Sequence, residues 1–256
     1  MKINASTALA TSDILLVPYC KSHVSTYHEW MKDPNLQAAT ASEPLSLDEE
    51  YAMQQNWRSD RDKLTFIVCL PLASHSRTDG SIKVGEDDSS SRMIGDINLF
   101  LVTADSSESP EDHGEEASTD IPLLVGEIEI MIALKALHRR GYGRSALKVF
   151  MTCIILHWRE IYAEYHSQQA PHSQDGLVGL AYLRVKIDQG NEGSIRLFES
   201  TGFRRTSGDP NYFGEVELRW REDGRAALDS VVDGLGSRGV DGSRAMFEVL
   251  QYEEHL

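Results

Sequence analysis

The chain has 256 residues, 41% of them hydrophobic, and 25 Lys and Arg against 40 Asp and Glu give a net charge of -15. That suits one domain with insertions or two small ones, and no apolar run of roughly 18 residues exists to cross a bilayer. Thirteen of the fifteen excess negative charges lie in residues 73–92, 103–121 and 222–256, so the rest is near neutral and too poor in positive charge to hold nucleic acid; steering of a basic protein substrate stays open.

Met1 to Asp13 has no apolar stretch behind Lys2, so no secretory leader is expected, and a cytoplasmic protein is predicted with the nucleus left open. Ile14 to Val17 suits a first strand ended by Pro18. Lys21 to Lys32 sets Val24, Tyr27 and Trp30 at helical spacing, and Asp33-Pro34 is read as its stop. Ser46 and Glu49 form a capping-box pattern ahead of Tyr51, Met53 and Trp57. Leu64 to Leu70 reads as a strand, 73–92 as a mobile Ser- and Gly-rich excursion, and Met93 to Val102 as the next strand.

After the acidic insert at 103–121, Leu123 to Leu134 puts Glu127 and Glu129 on one face and Ile128, Ile130 and Ile132 on the other. A long helix is expected from about Arg144 to Tyr162, followed by a polar insert at 163–179. Ala181 to Asp188 alternates as a strand, Glu192 to Ser200 reads as a helix, and Asn211 to Arg221 holds a last strand. A helix between two such strands signals a parallel crossover. The predicted fold is thus α/β (α+β), a mixed and mostly antiparallel central sheet with one βαβ crossover and flanking helices. Residues 1–221 form the predicted domain, and 222–256 an acidic extension in which Met246 to Tyr252 suits one extra strand.

Between the strand at 123–134 and its helix stands His138-Arg139-Arg140-Gly141-Tyr142-Gly143-Arg144. A strand, a glycine turn and a helix N-terminus aim backbone N–H groups at one point, which suits a phosphate; an ordinary solvated loop is the alternative. Gly141 and Gly143 let backbone approach an anion, and Arg139, Arg140 and Arg144 can pair with it. No metal is predicted: Cys20, Cys69 and Cys153 read as reduced core thiols, and His23 and His28 lack partners at ligand spacing.

This turn, followed by Asn191, Ser194, Leu197, Phe198, Gly202 and Phe203 at fixed spacing, resembles the GNAT superfamily of acetyl-CoA-dependent N-acetyltransferases over residues 13 to 221. It is similar in particular to the branch holding the ribosomal-protein alanine acetyltransferases and the N-acetyltransferase 9-like proteins. His138 stands where the family's turn carries Gln or Arg. The resemblance implies that acetyl-CoA lies between strands 123–134 and 181–188, held by Met131, Ile132, the turn 138–144, Asn191, Ser194 and Phe198. It implies direct attack of an amine, most plausibly a protein or peptide N-terminus, on the thioester. Glu127 is the favoured general base and Glu129 the second. Phe198 stands where many relatives carry a proton-donating Tyr, so Ser194, Tyr142 or water is left to protonate the thiolate. A GNAT-like binding module and a small-molecule acetyltransferase are the competing readings.

Overall fold

The computed structural model describes residues 1–72, 81–104, 123–166, 179–220 and 247–253. Within them runs a nine-stranded sheet: β1 (Thr7–Ala10), β2 (Leu15–Pro18), β3 (Lys63–Cys69), β4 (Met93–Thr103), β5 (Leu124–Ile132), β6 (Leu180–Asp188), β7 (Arg204–Arg205), β8 (Glu215–Trp220) and β9 (Glu248–Gln251). The spatial order is β7-β8-β6-β5-β4-β3-β2-β1-β9. Every neighbouring pair is antiparallel except β5 and β6. The mixed, mostly antiparallel sheet with a single parallel crossover is the predicted architecture. Residues 248–251 supply the extra strand, which closes the outer edge beside β1; 222–246 lie outside the described residues.

Helices cover both faces. One face carries α1 (Val24–Trp30), α2 (Pro34–Ala39) and α3 (Leu47–Ser59), and the other α4 (Tyr142–Leu156), α5 (Trp158–His166) and α6 (Glu192–Glu199). The alternation of β5 decides which residues meet which layer. Ile128 belongs to the core beneath α4, where Phe150, Trp158 and Phe198 are buried, while Met131 belongs to the core beneath α1 and α2. Burying such large side chains on both faces is the main force holding the sheet between its helices.

Several boundaries differ from the sequence reading, each for a local reason. β1 was hidden because Thr7–Ala10 is too short to show alternation. Asp33-Pro34 does not only stop α1: Asp33 accepts the Asn35 N–H at 2.8 Å and Pro34 occupies the first helical position, so the pair starts α2. The long helix is two, α4 ending at His157 with a non-helical backbone and α5 running on to His166. Of the excursion expected at 73–92, residues 73–80 lie outside the described residues, but 81–92 pack onto the body rather than swing free. Asp88 is buried there, accepting from His23 Nε2 at 3.1 Å, from the Tyr252 hydroxyl at 2.9 Å and from the Gly85 N–H. Burial pushes its carboxyl up, and these donors more than cancel that, leaving it below the ordinary Asp value. The insert at 103–121 (beyond Ala104) and 167–178 of the polar insert also lie outside the described residues.

Candidate active site

β5 and β6 pair side by side only from Leu124 with Leu180 to Glu127 with Arg184. Beyond that point each strand continues, paired on its outer side alone. β5 stays registered with β4 as far as Ile132 opposite Gly95, and β6 with β8 as far as Asp188 opposite Glu215. Residues 128–132 and 185–188 therefore present facing backbone edges with no strand between them. A buried edge of this kind needs hydrogen-bond partners from somewhere. The gap is a wedge whose apex is the Glu127–Arg184 pair and whose mouth opens at the strand ends.

A cavity of about 530 Å³ lies at this wedge, within the size range of ligand sites. Ile130, Met131 and Ile132 of β5 line one side, and Asn191, Gly193, Ser194 and Leu197 of α6 another. His138, Arg139, Gly141, Tyr142, Gly143 and Arg144 close its end. Ten of the fourteen residues singled out in the sequence thus share one cavity. α2 and the residue that ends it add Leu36, Ala39 and Thr40, which sequence reasoning missed because Asp33-Pro34 was read as a stop rather than a helix start.

The turn is shaped by backbone. Gly141, the N-cap of α4, has φ 92°, a left-handed conformation that any Cβ would strain. It offers no side chain to cap α4, so the first N–H groups of the helix point outward for an anion. Gly143 is different. A Cβ there would meet Leu197 Cδ2 at 3.5 Å, an ordinary contact, so the fold does not require glycine. A ligand pressing on the first turn would. His138 Nε2 stands 2.7 Å from the Ile132 carbonyl, and because a carbonyl only accepts, that nitrogen carries the proton and pins the end of β5. Asn191 caps α6 by accepting the Ser194 N–H at 3.2 Å, which fixes Ser194 on the cavity wall.

Two expected cofactor contacts fall elsewhere. Phe198 is 1% exposed, its ring set edge-on to Phe203 at 5.0 Å inside the core, so it serves packing and not the cavity. Arg140 is exposed and outside the lining.

Neither acid of β5 lines the cavity; both lie at the wedge apex, on the face toward α1 and α2. Their environments differ sharply. Glu127 Oε2 receives Arg184 Nε at 2.7 Å, with Lys186 Nζ at 3.7 Å from the same oxygen, so its charge already has two cations beside it. Glu129 has no such partner among the described residues. Its side chain is open to water, yet protein surrounds it on most sides, as at the floor of a cleft. That surrounding mass first, then the charges of Glu127 and Asp96, push its carboxyl up to about 7. The acid preferred from the sequence, Glu127, is thus the one held by cations, and the second choice, Glu129, the one whose carboxyl is raised. The signal lay in β6, where Arg184 and Lys186 share one face, but only the register shows that they meet Glu127.

An acetyltransferase (GNAT) domain model matches residues 13–204 of this chain. The chain is 39% identical over 226 residues to the N-acetyltransferase 9-like protein of Schizosaccharomyces pombe, covering 85% of this chain and 97% of that protein. It is 36% identical over 221 residues to the human alpha/beta-tubulin-N-acetyltransferase 9, covering 86% and 85% of the two chains. Among solved structures, an acetyltransferase of the GNAT family from Bacillus anthracis superposes with a TM-score of 0.51 at 11% identity, over 84% of this chain and 99% of that one, which is a likeness of fold alone. Family model and relatives span both walls of the wedge, β5 and β6 alike, and the chain therefore belongs to the GNAT family of acetyltransferases, as an N-acetyltransferase.

Proposed function

We propose that the protein uses acetyl-CoA to acetylate protein N-terminal amines, with Glu129 as general base. The observation that carries this reading is the wedge, two parallel strands that part at Glu127 and Arg184 above a cavity closed by an uncapped helix N-terminus. The residues fit the cofactor. The first turn of α4, with Arg139 and Arg144 beside it, suits a pyrophosphate, and Gly143 leaves the close approach that the fold itself does not need. The edge of β5 beyond Glu127, which no residue of β6 pairs with, suits an amide-bearing arm laid along it, although the Ile132 carbonyl is already taken by His138.

When bound, acetyl-CoA supplies the thioester carbonyl that the amine attacks. The chain's own work is proton handling and placement. An ammonium has no lone pair, so Glu129 takes its proton at a carboxylate oxygen; a carboxyl poised at about 7 suits that exchange near neutrality. Glu127, held by Arg184 and Lys186, keeps the β5–β6 apex closed and its negative charge beside Glu129. A backbone N–H of the open β5 edge polarises the carbonyl. Ser194 or Tyr142, both on the wall, or water returns a proton to the sulfur. A protein acceptor is supported by the tubulin named in relatives and by a chain interior reached from solvent through the exposed Glu129 face.

The test is calorimetric titration with acetyl-CoA followed by turnover on purified α/β-tubulin and on free-N-terminus peptides. Binding in the micromolar range, and turnover lost in Glu129→Gln but largely kept in Glu127→Gln, is the expected result. No binding, or turnover only on small polyamines, would refute it.

A further inference from the structure

The sheet face beneath α1 holds a polar group that the reaction as described does not use. Asp96 of β4 lies opposite Met131, and Asn98 opposite Glu129, so Asp96 stands on the diagonal behind Glu129, a separation of about 7–8 Å between Cβ atoms on a sheet. Asp96 is 2% exposed and Asn98 4%. Asn98 Nδ2 donates to Asp96 Oδ2 at 2.7 Å, and the Tyr27 hydroxyl reaches the same oxygen at 3.5 Å. Asp96 Oδ1 and Asn98 Oδ1 have no partner among the described residues. A core this well packed does not keep an acid with one satisfied oxygen for stability: an apolar residue of similar size would serve better. Something else retains the charge.

We propose that Asp96 is a positioning residue for this enzyme, acting through its buried charge to hold Glu129 as a proton acceptor. The inference rests on the assignment of Glu129 above. Burial pushes the Asp96 carboxyl up to about 6, with Asn98 and Tyr27 pulling the other way, so it is ionised where the enzyme would work. Asp96 is sealed from water while Glu129 is open to it, so the field between them is screened only in part. The other groups facing the pair do not replace it. Glu127 on β5 adds repulsion but is largely offset by Arg184 and Lys186 of β6; Tyr27 of α1 stays neutral, its hydroxyl pushed well up by burial. Glu50 of α3, buried with His28 3.9 Å away, and Tyr19 belong to the same polar cluster beneath α1 and α3. Of the acids that β4 and β5 place on this face beside Glu129, Asp96 is therefore the one with no cation beside it among the described residues and no access to solvent.

The experiment follows the Glu129 carboxyl directly, by carbon-13 NMR titration of the full chain, its signal assigned through Glu129→Gln, alongside pH profiles of kcat/KM on a free-N-terminus peptide. In Asp96→Asn the Glu129 midpoint and the acid limb of the rate should both move to lower pH, on the order of half a pH unit. Asp96→Ser removes the same charge in a smaller side chain and should give the same shift if the Asn variant does not fold. A residue needed only for packing would lower the amplitude and leave both positions unmoved, which would overturn the inference while leaving Glu129 as base. If the midpoint moves and the rate limb does not, or if Glu129→Gln keeps full turnover, the base assignment itself falls and this role with it.

Discussion

In the proposed reaction, the turn at the mouth of the wedge and the sheet face at its apex work by opposite means. The turn is exposed and made of backbone: Gly141 and Gly143 remove side chains so that N–H groups can meet an anion. The apex is made of side-chain charge: Glu127 held by cations, Glu129 left without them among the described residues, Asp96 buried behind. Backbone binding tolerates changes in the surrounding side chains and fails when space is filled. Charge placement tolerates changes of shape and fails when one proton is misplaced. Binding and chemistry should therefore come apart on mutation.

The widest separation is expected at Glu129. Its exchange for Gln should lower kcat/KM by about 10²–10⁴-fold with acetyl-CoA affinity unchanged, read by calorimetry and steady-state kinetics on the same preparation. In the native enzyme the base must be ionised, so the rate should fall as pH drops through about 7. Equal losses in binding and turnover would erase the contrast between mouth and apex.

A region belonging to neither half gives the control. Asp88→Asn removes a charge that accepts from His23, Tyr252 and Gly85, and should cost about 1–3 kcal/mol of stability, seen as a lower Tm with kcat per folded molecule retained. The Asp88 carboxyl is held below its ordinary value, so its contribution is present above the unfolded pKa and lost as pH falls through the folded one. Acid should therefore weaken the native protein more than the Asp88→Asn variant in melts at graded pH.

At the mouth, Gly143→Ala should raise the acetyl-CoA Kd on the order of tenfold while Tm stays within about 2 °C, since Ala suits a helix and its Cβ finds ordinary room. A matching fall in Tm would mean that glycine serves the fold. The smallest effect is expected at Arg140, which lies outside the lining: Arg140→Ala should leave Kd within about twofold, whereas Arg139→Ala or Arg144→Ala should weaken it several-fold.

The same division explains what could be read before the fold was known. The mouth is local in sequence. A strand, His138 to Arg144 and a helix lie within one continuous stretch, and Asn191 announces α6 by its capping preference, so both ends of the cavity were visible. The apex depends on register between strands far apart in the chain. That Arg184 meets Glu127, and that Asp96 and Asn98 back Glu129, follows from pairings no periodicity reveals. Phe198 shows the limit in another way. Its place in a motif said nothing of its direction, and the helix turned it into the core beside Phe203. α2 was missed because Asp-Pro ends one helix and begins another with the same two residues.

The bonds around Asp88 have one more consequence, for the order in which the molecule is made. Tyr252 reaches Asp88 across 164 residues of chain, and β9 pairs with β1 near the opposite end of the sequence. During synthesis β1 must wait on the ribosome as a bare edge until almost everything else has emerged. Contacts so distant in sequence close late and slowly. The interval between the first strand and the last is thus written into the topology, and any ribosome stall after β8 would release a nearly complete sheet with one sticky side.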